Sequence, residues 1–304
     1  MKVLFVYGGN NNPMPFIHEQ KESLLSKGLE VDDFLIKGHG VFGYLSNLYA
    51  LNKKIDSKQY QLIHAHYGLS GLLANLQRKL PVVTTFHGSD VYLNRNKLFS
   101  SIASLLSSHS IFVNNEMVKK IYSSSNLSVI PCGVNTSIFH PQRKIDARNK
   151  LGFDLNNKYA LFTSSFSNSI KNYPLAKLAV DSSEYDIKLI ELKNRTREEV
   201  NLLLNGCDFL LMTSFSEGSP QIIKEAIATN MPIISTDVGD VKAMIDGLSN
   251  CHITNFEIED IANAIDSVLS DNKRSNGRDI IFNLDLNKVA SRIIDLYSKI
   301  AVKK

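Results

Sequence analysis

Short apolar runs rich in Val, Ile, Leu and Phe recur along this chain, and between them apolar residues return every three or four positions. Runs of this kind predict strands buried on both faces, and the longer period predicts helices that cover them. Six strands are predicted in the first half, at 2–7, 29–35, 62–65, 82–86, 110–113 and 128–131, with helices at about 14–27, 44–56, 69–79, 97–108 and 115–124. A second series places strands near 159–163, 187–191, 209–213, 232–235 and 251–254. Its helices fall at about 174–183, 197–205, 220–229, 240–246, 257–269 and 287–301. Alternating strand and helix is the pattern of parallel sheets with helices on their faces. The polar stretch 135–150, with Pro141 and a charge run, separates the two series. The expectation is therefore an α/β protein of two doubly wound, Rossmann-like domains, 1–140 and 141–304, whose last helix can pack back on the first domain. Such sheets take ligands outside the carboxyl ends of their strands, so two of them imply a cleft lined by strand-end loops.

Composition narrows the class. With 304 residues, 43% hydrophobic and 21% charged, the chain can bury two cores and shows no bias toward disorder. The opening MKVLFVYGG is too short an apolar run for a secretory leader, and no run approaches the ~20 apolar residues of a membrane span, so a cytoplasmic protein is expected. Cys132, Cys207 and Cys251 form an odd set without metal-type spacing, which predicts reduced thiols. A net charge of +4 suits an anionic substrate or a membrane surface, and no nucleic-acid motif accompanies it.

The densest chemistry lies in the segment 214–226, SFSEGSPQIIKEA. Ser219 is a suitable helix cap and Pro220 a suitable first residue, so a helix is predicted from about 220, with Ile222, Ile223, Ala226 and Ile227 facing the core. The N–H groups of its first turn, around Gly218, Ser219, Gln221 and Ile222, together with the macrodipole, favour a phosphate there. Glu217 precedes the cap and Glu225 lies about two turns inside. Glu22 and Glu30, and Glu191 and Glu199, have the same separation but no Gly-Ser-Pro opening, so context, not spacing, singles out Glu217 and Glu225. The plain alternative is a pair of solvated glutamates beside an ordinary helix.

Other candidates also follow strands. Gly8 and Gly9 let a ligand approach the backbone, but G-x-G-x-x-G is absent, which disfavours a dehydrogenase even though Asp32 or Asp33 offers an acidic partner. His64 and His66 suit strand-end packing; as a metal pair they lack a third ligand. His87 ends the strand before Gly88-Ser89-Asp90, and Asp90 is either a site residue or a cap. Lys171 is the natural cation for a phosphate, and Lys193 ends the next strand. No Asp-x-Asp pair occurs, so neither a metal nor a cofactor is expected at a diphosphate. The helix near 43–58 carries Tyr44, Leu45, Leu48, Tyr49, Leu51 and Ile55 with Lys53, Lys54 and Lys58. Either it lies on an anionic membrane or it packs its leucines on the sheet.

The segment from Cys207 to Gly247 resembles the signature region of family 4 retaining glycosyltransferases of the GT-B fold, whose E-x7-E motif is matched by Glu217 and Glu225. His87-Gly88-Ser89-Asp90 is similar to that family's H-G-S-D. Pro131, Gly133, Val134, Asn135, Phe139 and Pro141 match its passage between domains. The resemblance implies transfer of a sugar from a nucleoside diphosphate sugar to a saccharide or lipid-linked acceptor in cell-envelope polysaccharide synthesis. By the same resemblance His87 and Glu217 act on the sugar, with Asp90 beside them, and Glu225 binds the ribose. Lys171 would hold the diphosphate, Gly9 would lie near it, Lys193 would belong to the base-binding loop, and Gly133 would border the donor. One departure stands out: the family's arginine five residues before the lysine is here Phe166, among Ser164, Ser165, Ser167 and Ser169. That leaves open a catalytically weak accessory subunit that binds nucleotide sugars, and a GT-B epimerase is a further alternative.

Overall fold

Two parallel sheets organise the chain. The computed structural model describes residues 1–9, 14–38 and 40–301, with only the backbone described at Val41 and Arg95. The chain divides into two units, Met1–Gly133 together with the segment from Leu286 on, and Val134–Asp285. In the first, strands β1 (Lys2–Gly8), β2 (Glu30–Ile36), β3 (Leu62–His66), β4 (Val82–Phe86), β5 (His109–Phe112) and β6 (Leu127–Val129) stand in the order β2-β1-β3-β4-β5-β6. All neighbours are parallel. Its helices are α1 (Pro15–Ser26), α2 (Gly40–Leu45), α3 (Leu48–Asp56), α4 (Gly68–Asn75), α5 (Ser89–Tyr92), α6 (Asn94–Leu106) and α7 (Asn115–Val118).

The second unit runs α8 (Lys144–Leu151), β7 (Lys158–Phe162), α9 (Tyr173–Asp181), β8 (Ile187–Glu191), α10 (Arg197–Gly206), β9 (Phe209–Met212) and α11 (Gln221–Ala228). It continues through β10 (Ile233–Thr236), α12 (Val241–Ile245), β11 (Cys251–Thr254) and α13 (Ile258–Asp271). Its parallel sheet has the order β11-β10-β9-β7-β8. Helix α14 (Leu286–Ala301) ends the described chain.

Burial explains these assignments. Along β1, Val3, Phe5 and Tyr7 face a core shared with Ile17 and Leu24 of α1, while Leu4 and Val6 face Leu51, Ile55 and Leu73. A strand buried on both faces reads as a continuous apolar run, which is why central strands such as β1, β4 and β9 stand out in the sequence. Helix α14 packs Val289, Ala290, Ile293 and Tyr297 into the first unit's core, so the end of the chain returns to that unit.

The boundary falls at Gly133 and Val134, ahead of the expected 140, because Val134 and Phe139 are fully buried in the second unit's core with Leu161 and Leu210. The polar stretch expected as a connection contains α8. Its Arg148 is 4% exposed, donates to Asp208 at 2.8 Å and to the carbonyls of Gly206 at 2.9 Å and Leu155 at 2.7 Å, so this one charge of the helix is buried through its partners while Asp146 and Lys150 stay exposed.

In each sheet the connections run outward in both directions from one strand. β1 lies between β2 and β3, and β7 lies between β8 and β9. The crevice beyond the carboxyl ends of such a reversal point is where α/β sheets hold ligands. The loops after β1 and β3, and after β7 and β9, are therefore the positions where chemistry is expected.

Candidate functional site

In the second unit the loops after β7 and β9 meet. Asn168 accepts from the Ile170 N–H at 3.2 Å, which shapes the 3₁₀ turn Ser169–Lys171. Thr213 donates to the carbonyls of Lys171 at 3.1 Å and Asn172 at 2.9 Å, and Phe215 N–H donates to Ile170 at 2.9 Å. With the loops tied together, the Lys171 ammonium lies 2.5 Å from Glu217 Oε1, with side chains 17% and 13% exposed.

Helix α11 follows. Pro220 occupies the cap position with φ −68° and ψ 122°, and no side chain caps the helix. The expected cap, Ser219, is thus one residue early: the extended backbone at Pro220 delays the helix to Gln221. Gly218, Ser219, Gln221 and Ile222 still surround the positive end of the helix, where first-turn N–H groups face an incoming anion. Gly239, at φ +60°, packs against this loop so closely that a Cβ would lie 2.5 Å from the Gly218 carbonyl oxygen.

Three cations accompany three carboxylates around α11. Besides Lys171 and Glu217, Arg197 Nη2 donates to Glu225 Oε1 at 2.6 Å, with the Glu225 side chain only 3% exposed. Arg197 is the first residue of α10, which a capping box positions: Thr196 accepts from Glu199 N–H at 3.2 Å, and Glu199 reaches back to Thr196 N–H at 2.8 Å. Its guanidinium lies 4.6 Å from the Phe139 ring centre. The third cation, Lys224, is fully buried and donates to Gln221 Oε1 at 3.1 Å. It opposes the burial that pushes the Asp240 carboxyl above the usual carboxylate range. Arg197, Lys224 and Asp240 were absent from the sequence-based candidates.

Phe166, where an arginine was expected, stacks on Tyr173 with ring centres 4.1 Å apart and packs beside Phe162. Its backbone N–H and the Ser165 hydroxyl both donate to Glu191 Oε1 at 2.8 Å. The position has become part of an aromatic cluster and contributes no charge. Lys193 is exposed, beside Asn194 at φ +53°.

In the first unit, histidines from β3 and the end of β4 stack. His64 and His66 rings lie 4.4 Å apart, and His66 and His87 rings 5.4 Å apart. His64 is buried between the Tyr297 hydroxyl and Thr85 Oγ1, the latter at 2.7 Å, and burial pushes its pKa down to about 3. His66, equally buried, is held well below its usual value by desolvation, and its Nδ1 lies 3.1 Å from His87 Nε2. His87 is half-buried between Phe16 and Tyr67, and its Nδ1 lies 3.7 Å from Cys132 Sγ. Both ring nitrogens of His87 are therefore engaged within the protein.

Asp90 accepts from the N–H groups of His87 at 3.1 Å, Gly88 at 2.9 Å and Gly68 at 3.1 Å. Burial nevertheless pushes its carboxyl up to about 6. Its carboxylate thus fixes the loops after β3 and β4. Gly9 is exposed at the end of β1, and the rest of its loop, Asn10–Pro13, lies outside the described residues. Gly8 lies under the Tyr44 hydroxyl, which an added Cβ would approach to 2.0 Å.

The α3 leucine stripe turns inward. Leu51 and Ile55 are buried, with Tyr44 and Leu48 packed beside them, and Lys58 pairs with Asp32 at 2.8 Å. Tyr49 remains exposed. No described helix is long and apolar enough to cross a membrane.

Two Rossmann-like units, each a parallel sheet with its candidate residues in the loops and helices that follow its strands, define the GT-B fold of glycosyltransferases. Sucrose-phosphate synthase from Thermosynechococcus elongatus has the same architecture, with a TM-score of 0.85 at 16% identity over 100% of this chain and 99% of that one. Residues 19–138, most of the first unit and the start of the second, match the model for Glycosyltransferase Family 4, and residues 176–279 of the second unit match that for Glycosyl transferases group 1. The chain belongs to the family 4 glycosyltransferases.

Among curated relatives, a Bacillus subtilis glycosyltransferase assigned to teichuronic acid biosynthesis is 26% identical over 60% of this chain and 54% of that protein. The chain thus spans about half the length of that relative. A UDP-Gal:α-D-GlcNAc-diphosphoundecaprenol α-1,3-galactosyltransferase of Escherichia coli is 24% identical over 86% of this chain and 81% of its own.

Proposed function

We propose that this protein is a retaining glycosyltransferase that moves a sugar from a nucleoside diphosphate sugar to a saccharide or lipid-linked acceptor, in the building of a cell-envelope polysaccharide. The observation that carries this reading is the arrangement around α11, where Lys171 meets Glu217 and Arg197 meets Glu225 beside the helix's positive end. The first turn receives the diphosphate, as helix N-termini do for anions. Lys171, a compact charge on the adjoining loop, stabilises the leaving nucleoside diphosphate as negative charge grows there. Glu217 meets the positive charge that develops on the sugar, and Glu225 takes the ribose hydroxyls while Arg197 holds its carboxylate in place. Charge stabilisation of this kind needs no divalent ion.

His87 reaches the transferred sugar on this reading only by leaving one of its present contacts, since its ring nitrogens lie against His66 and Cys132 and its ring packs between Phe16 and Tyr67. A carbohydrate hydroxyl would find no unoccupied ring nitrogen there unless one of those contacts opened. Transfer to a lipid-linked acceptor would place the reaction at the cytoplasmic face of a membrane.

The Escherichia coli relative, named for transfer from UDP-Gal to a diphosphoundecaprenol-linked sugar, makes UDP-sugars and polyprenyl-diphosphate saccharides the first substrates to try. UDP-, GDP- and ADP-sugars are screened by thermal stabilisation, and the best donor is then incubated with such acceptors and with soluble saccharides. Mass spectrometry reports transfer and NMR reports the anomeric configuration of the product. Donor binding with neither hydrolysis nor transfer across the acceptor panel would leave a nucleotide-sugar-binding accessory subunit, and an inverted product would remove the retaining mechanism.

A further inference from the structure

Helix α6 is amphipathic in the wrong sense. The side facing the protein carries Ser100, Ala103, Ser104 and Ser107, all buried, while Leu98, Ile102 and Leu105, at i, i+4 and i+7, form an outward stripe. Leu98 is 66% exposed and Leu105 57%. The buried hydroxyls are satisfied internally: Ser100 donates to the Asp90 carbonyl at 2.7 Å, Ser104 and Ser110 lie 2.8 Å apart, and Ser107 and Thr84 lie 2.7 Å apart. Small residues on this side let α6 lie close to α4, where an added Cβ on Gly68 would come within 2.1 Å of Ser100 Oγ. The inner face is thus fully accounted for by packing and hydrogen bonding. Leu98 and Leu105 remain more than half exposed, and a contiguous exposed apolar stripe marks a contact surface.

The surroundings of the stripe indicate what it contacts. Lys97, Leu98, Lys119, Lys120 and Tyr122 line one open concavity of about 600 Å³ beside α7, and no acidic residue is among the described residues that line it. The Tyr122 N–H donates to Ser101 Oγ at 3.2 Å, which fixes this segment against α6, and the Tyr122 side chain is 84% exposed. Glu116 nearby is paired to Lys119 at 2.9 Å. Leucines, an exposed tyrosine and a rim of lysines are the composition of a surface that lies in the headgroup region of an anionic bilayer. A second copy fits less well, because a two-fold contact through this face would set the lysine rims against each other.

We infer that the outer face of α6, with the 118–122 segment, seats the protein on an anionic membrane surface. This surface rests on the proposed function only in giving a lipid-linked acceptor a place to be met, and its test does not depend on turnover. It also moves the membrane contact from α3, where the sequence pattern suggested it, to a helix whose apolar side is not used by the core.

The full chain is sedimented with vesicles of phosphatidylglycerol and phosphatidylethanolamine and, separately, of phosphatidylcholine alone. The wild type is expected to bind the anionic vesicles and to be released by salt. Leu98→Ser with Leu105→Ser, and separately Lys97→Gln with Lys119→Gln and Lys120→Gln, should each weaken binding at least tenfold, since each juxtamembrane lysine is worth about fivefold. These exposed or half-buried surface positions should leave the circular dichroism spectrum and nucleoside diphosphate binding unchanged. Equal binding to phosphatidylcholine, or vesicle binding by the variants equal to that of the wild type, would overturn the inference. So would a wild-type dimer that the leucine variant converts to monomer, which would assign the face to a second copy. If vesicles are bound but no sugar transfer is ever found, the membrane surface stands and the proposed function fails.

Discussion

Arg197→Leu is the sharpest probe of the second unit, because it removes the cation from a carboxylate that has almost no access to water. The Glu225 side chain is 3% exposed and Arg197 24%, and they meet at 2.6 Å. Breaking a buried ion pair by removing one partner costs about 3–5 kcal/mol, since the other charge is left uncompensated. Partial exposure of Arg197 and the further contacts of Glu225 place the expectation at the low end, about 3 kcal/mol. Loss of the guanidinium over Phe139 adds up to about 1 kcal/mol. For a unit of this size, a loss of 3 kcal/mol lowers Tm by about 6–12 °C. Glu225→Leu should cost less, about 1 kcal/mol, because a long arginine can turn its head to solvent. The double variant Arg197→Leu with Glu225→Leu should recover to within about 1 kcal/mol of wild type, as apolar replacements of buried pairs do. Urea unfolding followed by circular dichroism measures all four proteins. If Arg197→Leu loses no more than a surface substitution, about 0.5 kcal/mol, or if the double variant is no better than the worse single, the two side chains are not coupled and Arg197 does not hold Glu225.

The remaining predictions concern chemistry and pH. Lys171→Ala should lower turnover by about two to three orders of magnitude, the scale of losing one preorganised charge stabiliser, and unchanged kinetics in folded protein would transfer that role to another cation. Activity should persist in EDTA; complete loss restored by magnesium or manganese would refute leaving-group stabilisation by Lys171 and α11. Glu217→Gln should depress transfer strongly while leaving nucleoside diphosphate affinity nearly unchanged, and parallel losses in both would place Glu217 on the nucleotide. Acid should destabilise the first unit. His64 titrates near 3 when folded and near 6.5 when unfolded, so its contribution is fully present above pH 6.5 and is lost as pH falls; at pH 5 the loss is about 2 kcal/mol. His66 acts in the same direction, while Asp90, raised to about 6, gains stability on acidification between about 6 and 4 and opposes them. Urea melts at pH 7.5, 6 and 5 should therefore show a slope that His64→Gln reduces, and identical slopes would mean that His64 is not buried neutral.

The central strands were legible because both of their faces are covered, as in β1, β4, β7 and β9, while outer strands such as β2 and β8 mix apolar with charged residues and show only as shorter runs. The helix expected at 44–56 is two, α2 and α3, with the Asn47 side chain donating to the carbonyl of Lys37 and accepting from its N–H at the junction. A single apolar stripe cannot reveal such a break. Helix α8 was hidden for a different reason: its charge run suggested solvent, but Arg148 is buried by partners more than fifty residues away in sequence. Among the candidates, Glu217 and Glu225 could be picked out by the Gly-Ser-Pro helix opening and by the resemblance to the E-x7-E motif, and Lys171 as a cation in the loop after β7. Arg197 could not, since only tertiary packing brings the start of α10 to Glu225. The Thr196 to Glu199 capping box was a readable sign that a helix opens there at a strand's carboxyl end. Lys224 carried a fainter sign: a charge on the side of a helix lined by Ile223 and Ile227 must find a carboxylate, and Asp240 stands thirteen residues beyond Ile227 in sequence.

The loss of the arginine at Phe166 also changes how a donor would be received. Lys171, Arg197 and Lys224 are each associated with a carboxylate, so the three cations and three carboxylates near α11 leave no net charge to attract a diphosphate. Initial attraction then falls to the helix end, and a phosphate that reaches Lys171 must share it with Glu217. On the proposed function this sharing is useful. As the ammonium turns toward the leaving phosphate, the Glu217 carboxylate is less neutralised and becomes a better match for positive charge forming on the sugar. A fixed arginine at 166 would hold the phosphate without this exchange. Restoring it by Phe166→Arg should therefore tighten nucleoside diphosphate binding, while turnover stays level or falls because the exchange between Lys171 and Glu217 is bypassed. Isothermal titration and steady-state kinetics on the same preparation separate the two effects, and a variant that binds no tighter would show that the aromatic cluster of Phe162 and Tyr173 keeps position 166 away from the diphosphate.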